Sequence, residues 1–553
     1  MPDDVDADEQ LKLVEPLRRV RSDLSGDMQT GNGAVGHDVR VSSDVSDQAP
    51  GPSEEPTGRG AAAAPILVAP SLDDPVVNAA SDAVGGPLGA RAWRPRLGSR
   101  SAIRTVARVL VLLTLLTLGL GVAQRSPCYS TAWNGTGKQQ YNHLCYTDVP
   151  YMYYGRGFDK HLTPYRQTDT ASGNYGLEYP VVAGAAMETA ALLAQKMGAD
   201  TPDQVRWFYN VTTWFLIIFA IVCVLAVIGL AGRRPWDAAM FALAPGLLLT
   251  GTINWDLIAV ALASVGMLAW ARNKPVVAGI ALGLGSATKL YPVFLLIPLL
   301  VLCWRAGRMR QWTQATGTAA LTWLAVNAPV MIFAFQGWKY FFTFNDNRPI
   351  DLGSPWFAIR HWWGWEPPNK NIVIIALVLA GWLAVALLGL MTRCRPRFAQ
   401  LAFLTVAVFV LLNKVYSPQY VLWLIPLAVL ARPRWRDFLI WQCCEAAYYV
   451  AVWYYLVWQA GPSNGNTRGL PDNFYVWAIV IHLAGIVFLM VQIVRDILDP
   501  RRDPIRADGI DDDPAGGALA DSPDVWAWSQ PRSHRAGAAA GHGAGAEPEL
   551  ASA

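Results

Sequence analysis

Between residues 105 and 494 the chain is a succession of apolar runs separated by short polar or aromatic connections. Many are long enough, or nearly so, for a helix to cross a hydrocarbon core, which takes about 20 residues. The runs fall at 105–123, 207–231, 235–249, 255–271, 275–288, 291–304, 313–335, 372–392, 398–412, 420–430, 438–458 and 475–494. Inside lipid every backbone polar group must be satisfied within its own segment, so runs of this kind predict helices. The predicted class is an all-α polytopic membrane protein, a bundle of about 12 segments. A further apolar stretch, 181–193, is too short and interrupted to span and is predicted to lie as a helix in the interface.

Composition sharpens this picture. A content of 53% hydrophobic and only 16% charged residues excludes a soluble enzyme. Most charges sit in the two tails or in short clusters. Residues 1–98 are rich in Asp, Gly, Pro, Ala and Ser without apolar periodicity, and 501–553 contain an Ala/Gly run. Both are predicted to be disordered cytoplasmic tails flanking a transmembrane domain over 99–500. The acidic, polar start is not a signal peptide, which would open with a short basic segment. A net charge of +3 is too small to argue for nucleic acid.

The arginines fix a predicted orientation. Arg91, Arg94, Arg96, Arg100, Arg104 and Arg108 precede or open the first run and hold the N-terminus in the cytoplasm. Arg233 and Arg234, Arg272 and Lys274, Arg305 with Arg308 and Arg310, Arg393 with Arg395 and Arg397, Arg432 with Arg434 and Arg436, and Arg495 with Arg501 and Arg502 then fall on that same side. The C-terminus returns there, and three substantial connections, 124–206, 335–371 and 459–474, face outward. Such loops are where binding residues concentrate. Of seven Cys only Cys128 and Cys145 lie in an outward loop, where the environment permits a disulfide, and a bridge between them is predicted against the alternative of two free thiols. Cys443 and Cys444 read as packing residues, because adjacent Cys seldom meet disulfide geometry. No Cys/His grouping has metal-site spacing, and no metal is expected.

Candidate chemistry gathers in the outward connections. The first contains Asp148 among Tyr and Pro, followed by Asp159. A carboxylate partly desolvated in this way has its pKa raised toward a value useful for a general base. Asp148 is the catalytic candidate, with a turn or capping role as the bland reading. Glu178-Tyr179-Pro180 follows. Asp256, in Asn254-Trp255-Asp256, stands at an outward helix start, where capping and substrate binding weigh about equally. Lys289 and Tyr291, in Thr-Lys-Leu-Tyr-Pro, end a run barely long enough to cross, and a lysine at that depth needs an anion or must snorkel. Lys414, Tyr416 and Gln419, in Lys-Val-Tyr-Ser-Pro-Gln-Tyr, follow a similarly short run, and two cations at one depth favour an anionic ligand. The loop after the seventh run carries Asp346, Arg348, Asp351, Arg360, His361 and many Trp. Arg360 and His361 are the candidates there for holding phosphate. Glu445, inside a spanning run, can pair with Gln442 or a neighbouring Tyr and serve packing alone.

The order of Asp148, Glu178-Tyr-Pro, Asn254-Trp-Asp, Ala287-Thr-Lys289-Leu-Tyr-Pro and Lys414-Val-Tyr-Ser-Pro-Gln-Tyr resembles the polytopic glycosyltransferase family 87, over about residues 105–494. The blocks are specific in combination and weak singly, and the first loop departs from the family pattern in being longer and bearing two Cys. The resemblance implies a GT-C type transmembrane bundle with its active site in extracytoplasmic loops. It implies a membrane glycosyltransferase that moves a sugar, mannose before arabinose, from a polyprenyl-phosphate donor to a glycolipid or cell-envelope glycan by inverting attack. Asp148 would match the family's catalytic Asp, while Lys289, Lys414 and Arg360 would meet the leaving phosphate. No cofactor is implied, since the lipid-linked sugar is a substrate, and the partners are that donor, the acceptor and membrane lipid. The rival reading is a lipid or glycan flippase, which predicts matching broken segments in the two halves, and none is evident by eye.

Overall fold

The computed structural model of the protein describes residues 74–84, 100–134, 137–166, 176–461, 469–507, 513–520 and 522–526. All of them fall in one compact unit, Ala64–Ala553. The described residues form helices and turns and no strand, so the protein is the all-α membrane bundle that its apolar runs predict.

Five helices are long and apolar enough to cross a bilayer: Ile103–Gln124, Thr201–Leu230, Met309–Phe333, Lys370–Met391 and Asp472–Leu498. The second begins on a capping carboxylate, Asp200, whose side chain accepts from the Asp203 amide, with a proline in the first turn. Two of them lie on the outside of the bundle. Only 11% of the apolar window of Met309–Phe333 and 22% of that of Lys370–Met391 is buried within the protein, so both turn most of their surface to lipid. Shorter helices fill the interior. All eleven residues of Val421–Ala431 are buried, as are twelve of the sixteen in Asp256–Ala271.

The sorting by length places the functional region. Pro275–Ser286, at 12 residues, is about 18 Å long and stops inside a hydrocarbon core of about 30 Å. Three interior hairpins therefore turn round below the outer surface, at 251–255, 287–290 and 413–417. A proline near the start of the returning segment, Pro292 or Pro418, helps close two of these turns. The tips carry Asn254, Lys289 and Lys414.

Two predicted spans differ from this outcome. The run 235–249 is not one helix: a 3-10 turn at Pro235–Ala238 and a single turn at Ala239–Ala242 precede a break with Ala244 extended, and Pro245–Thr250 follows. Pro245 disfavours the helical conformation at the residue before it, and Ala244 is extended, which is why the run breaks there. The run 291–304 begins as a 3-10 segment, Tyr291–Leu295, before Leu296–Arg305. The interfacial stretch 181–193 is the helix Val181–Met197, which packs against Thr201–Leu230.

The expected disorder of the C-terminal tail is corrected over 501–507, 513–520 and 522–526, which lie across the arginine-rich end of the bundle. Arg397, 2% exposed, gives Nε and Nη2 to the two oxygens of Asp503 at 2.7 and 2.9 Å, and its remaining donors reach the carbonyls of Leu430 and Ala431. Arg305, fully buried, is held by Asp524 at 2.7 Å. Asp513 accepts from the Phe398 amide, Gly516 from the Trp270 indole, and Ser522 from Arg308. The clusters near Arg305, Arg397 and Arg432 thus meet at one end. Composition reads these Asp residues as solvated because it does not register that buried guanidinium groups await them. Near the other terminus, within the predicted tail 1–98, Asp74 accepts from the Trp435 amide and opens a helix, Pro75–Val84. The rest of both predicted tails lies outside the described residues.

Removing one partner of a buried pair strands the other charge, which costs about 3–5 kcal/mol. Asp503→Ala is accordingly expected to lower the melting temperature of the detergent-solubilised protein markedly, by thermal-shift measurement, whereas unchanged melting would show that the Leu430 and Ala431 carbonyls satisfy Arg397 alone.

Candidate active site

The connection that leads to Asp148 is fastened before it delivers that residue. Arg125, fully buried, donates to the Leu144 carbonyl at 2.7 Å, the Tyr449 hydroxyl at 2.9 Å and the Leu249 carbonyl at 2.7 Å. Cys128 and Cys145 are joined, with Cα atoms 5.9 Å apart. Two residues on, the Thr147 hydroxyl donates to the Thr252 and Ile253 carbonyls at 2.9 and 3.0 Å, and the Asp148 amide donates to the Ile253 carbonyl at 2.9 Å. Thr147 also caps the helix Asp148–Gly155 by accepting from the Val149 amide. Asp148 is therefore clipped to the tip of the 251–255 hairpin, at the N-terminus of its own helix.

It faces a cavity of about 1280 Å³ that all three hairpin tips line. Tyr179 links its chemistry: its hydroxyl lies 3.4 Å from Asp148 Oδ2, and Lys289 Nζ sits 5.2 Å from its ring centroid. Lys289 pairs with Asp256 at 2.9 Å, whose other oxygen takes the Trp423 indole N–H at 2.9 Å. The Asp256 amide donates to Asn254 Oδ1 at 3.0 Å, leaving Asn254 Nδ2, buried on the cavity wall, without a protein partner. Burial pushes the Asp148 carboxyl from its ordinary 3.8 up to about 6, against the pull of the Tyr146 hydroxyl, Lys289 and Arg348.

The structure sorts the other predicted residues. Glu178 lines the cavity, but both its oxygens are held by Arg156, at 2.5 and 2.6 Å. Lys414 also lines it and spends donors on the Asp346 carbonyl at 2.9 Å and Asn371 Oδ1 at 2.7 Å, so it fastens the second outward segment to its hairpin tip. Tyr416 and Gln419 reach the cavity wall, and the Tyr416 hydroxyl donates to Glu445 at 2.6 Å. Glu445 also accepts from the Trp441 indole at 3.0 Å, which realises its pairing with a tyrosine. Tyr291 stands behind the wall, stacked 4.8 Å from Trp423.

Three expected ligands lie elsewhere. Asp159 sits on the 3-10 turn Phe158–Lys160, outside the cavity lining. Arg360, 43% exposed, faces Glu366 and the Phe357 ring, and His361 bonds Asn473 at 2.8 Å. Both lie on the helix Pro355–Trp363, whose buried face is Trp356, Phe357 and Ala358. The cation of that segment that does line the cavity is Arg348, paired at 2.7 Å with Asp351, which lines it too, as does Asp346. Spacing could not rank Arg348 above Arg360. The helix that turns Arg360 outward begins between them, at the Ser354 cap and Pro355. Tyr146 and Tyr420 were equally undistinguished among many aromatics, although both line the cavity.

Beside the cavity, and sharing Tyr179, Pro180, Leu290, Phe341 and Phe342 with it, is an apolar crevice of about 340 Å³ between Pro275–Ser286, Met309–Phe333 and Phe335–Asn347. Gly184 helps hold its edge. A Cβ there would fall 2.1 Å from the Tyr165 hydroxyl, which donates to the Tyr179 carbonyl at 2.8 Å.

Comparison with known proteins locates a family. The model of glycosyltransferase family 87 matches residues 179–413. The match starts at Tyr179 and takes in Asn254, Asp256, Lys289 and Arg348, while Asp148 falls well before it and Lys414 immediately after it. Among solved structures, the crystal structure of the Archaeoglobus fulgidus oligosaccharyltransferase in the apo form is similar at 13% identity and a TM-score of 0.34, over 72% of this chain and 56% of that one. The chain thus spans little more than half the length of that protein. No curated protein matches.

A carboxyl whose folded pKa is raised contributes stability that is present when protonated and is lost as pH rises through the folded value. Asp148→Asn, neutral throughout, should therefore melt above the wild type at pH 7.5, with the gap closing as the pH falls through about 6 toward 4. A gap that is independent of pH would show that Asp148 titrates at its ordinary value.

Proposed function

We propose that this chain, whose residues 179–413 match the model of glycosyltransferase family 87, transfers mannose from a polyprenyl-phosphate donor to a glycan or glycolipid acceptor on the extracytoplasmic face of the cell membrane. The protein is a membrane glycosyltransferase by family and helix content. The donor, the sugar and the sidedness are the proposal.

One observation carries it: Tyr179 brings a raised-pKa carboxylate, Asp148, and a partly buried cation, Lys289, to one wall of a polar cavity that adjoins an apolar crevice. An amphiphile with a phosphate head and a hydrocarbon tail suits that pair of compartments. In this reading Asp148 takes the proton of an acceptor hydroxyl, and the freed oxygen attacks the anomeric carbon from the face opposite the phosphate. The bond from that carbon to the phosphate oxygen breaks with inversion and releases polyprenyl monophosphate. Lys289 and Arg348 meet the developing negative charge in a site shielded from water. Arg348 takes the part that the sequence assigned to Arg360, while Lys414 and Asp256 hold the frame. A hydroxyl nucleophile is best served by a base titrating near the working pH, which the position of Asp148 supplies.

The test is transfer of radiolabelled mannose from polyprenyl-phosphate mannose to a total lipid extract by the purified protein. Asp148→Asn should lose about 10²–10⁴-fold of the rate, and Lys289→Gln about 10²–10³-fold. Wild-type activity should fall below an apparent pKa of about 6. Full activity in Asp148→Asn, with its fold intact by melting, would remove Asp148 as the base. No transfer by the wild type, with lipid-linked arabinose equally inert, would overturn the transferase reading of the cavity.

A further inference from the structure

The cavity has a second wall to which the transfer reading gives no role. Tyr141, Tyr146 and Trp453 all border it. The Tyr146 and Trp453 rings are 4.7 Å apart, Tyr141 lies parallel to Trp453 within 6° at 5.9 Å, and Tyr151 extends the stack beyond Tyr146 at 5.6 Å. Two unrelated stretches build it: Tyr141 lies inside the loop that Cys128 and Cys145 close, with Tyr146 and Tyr151 just after it, and Trp453 comes from the helix Trp435–Gln459.

Its chemistry differs from that of the cationic side. Lys289 makes its ring contacts with Tyr179 and Tyr420. The aromatic wall instead offers ring surface and neutral polar groups. Trp453 is 4% exposed, and its Nε1 has no hydrogen-bond partner although the residue borders the cavity. Leaving an indole N–H buried and unpaired is unfavourable by an amount comparable to a lost hydrogen bond. Trp423 and Trp441 have theirs satisfied by Asp256 and Glu445. The Trp453 N–H is a donor awaiting an acceptor that the chain does not provide.

A neutral sugar meets both features. The C–H face of a pyranose or furanose lies against aromatic rings, and its hydroxyls accept from an indole N–H. The Tyr146 hydroxyl also interacts with Asp148, so a sugar on this wall has a hydroxyl within reach of the base. We propose that Tyr141, Tyr146 and Trp453 form the acceptor subsite, where the terminal sugar of a neutral glycan stacks and is oriented by the Trp453 N–H. The inference rests on the transferase reading and assigns the two faces of Asp148, with the donor phosphate toward Lys289 and Arg348 and the acceptor toward Trp453. It gives the disulfide a purpose in specificity, because Cys145 immediately precedes Tyr146.

Saturation-transfer NMR tests the subsite on the full-length protein in detergent, using methyl α-mannoside and methyl arabinoside as probes. Wild type should show transfer to at least one glycoside, Trp453→Leu should lose it, and Trp453→Phe, which keeps a ring but no N–H, should weaken it several-fold. In the mannosyl-transfer assay with a synthetic alkyl mannoside as acceptor, Trp453→Leu should raise the acceptor KM at least tenfold and move the donor KM less than twofold. A rise in the donor KM with the acceptor KM unchanged, equal saturation in wild type and both variants, or no saturation of either probe by the wild type would overturn the assignment. If Trp453→Leu does not fold, Trp453→Phe carries both measurements. Glycoside saturation by a wild-type protein that transfers nothing would sustain a sugar-binding wall while overturning the catalytic reading, so the two failures are distinguishable.

Discussion

A helix of twelve to sixteen residues falls short of a hydrocarbon core, and the interior of this bundle is made of such helices. This constraint organises the rest. Each short helix must reverse below the surface, and the reversal exposes backbone that no helix satisfies. The hairpin tips find those partners in one another and in the outward loops: Thr147 and Asp148 on Ile253, Val182 on Ala287, Asp351 on Lys414. The tips and loops so joined enclose the cavity. A bundle of full-length helices would have put the same residues on its outer surface, in water of high dielectric, where a carboxylate has no reason to titrate near 6.

Charge follows the same logic at both ends. At the cavity, Lys289 and Asp256 neutralise each other and are finished by the Trp423 indole. At the other end Arg305 and Arg397 are buried against Asp524 and Asp503 of the C-terminal segment. Buried pairs of this kind seldom add net stability over apolar packing, but they are intolerant of losing one member. The two ends differ in what they leave open. Arg305 and Arg397 of the far end have all their guanidinium nitrogens partnered within the chain, whereas the cavity keeps Asn254 Nδ2 and Trp453 Nε1 unpaired and a carboxylate partly exposed.

The cavity also has sides. Cations and an adjoining apolar crevice lie about Tyr179, and stacked rings about Tyr146, with Asp148 in contact with both tyrosines. The proposed transfer sets Asp148 between the proposed donor and acceptor sides, as an inverting displacement requires, because the nucleophile enters at the anomeric carbon opposite to the departing group.

The all-helical class, the long outer spans and the gathering of arginines at one end were readable from hydropathy and charge alone, because lipid exposure and the cost of placing guanidinium in hydrocarbon act locally along the chain. The motif blocks around Asn254, Lys289 and Lys414 were readable too, since each is a short run ended by a polar tip. Other features were settled only in three dimensions: Arg348 instead of Arg360 at the cavity, the Asp503 and Asp524 clasp in a segment that composition assigns to solvent, and the pairing of Tyr146 with Trp453. The physical reason is the same in each case. Whether a charged or aromatic side chain faces ligand, lipid or a buried partner depends on groups more than a hundred residues away, as Arg397 and Asp503 are, and no local pattern of polarity encodes which of several equivalent arginines or tyrosines will meet them.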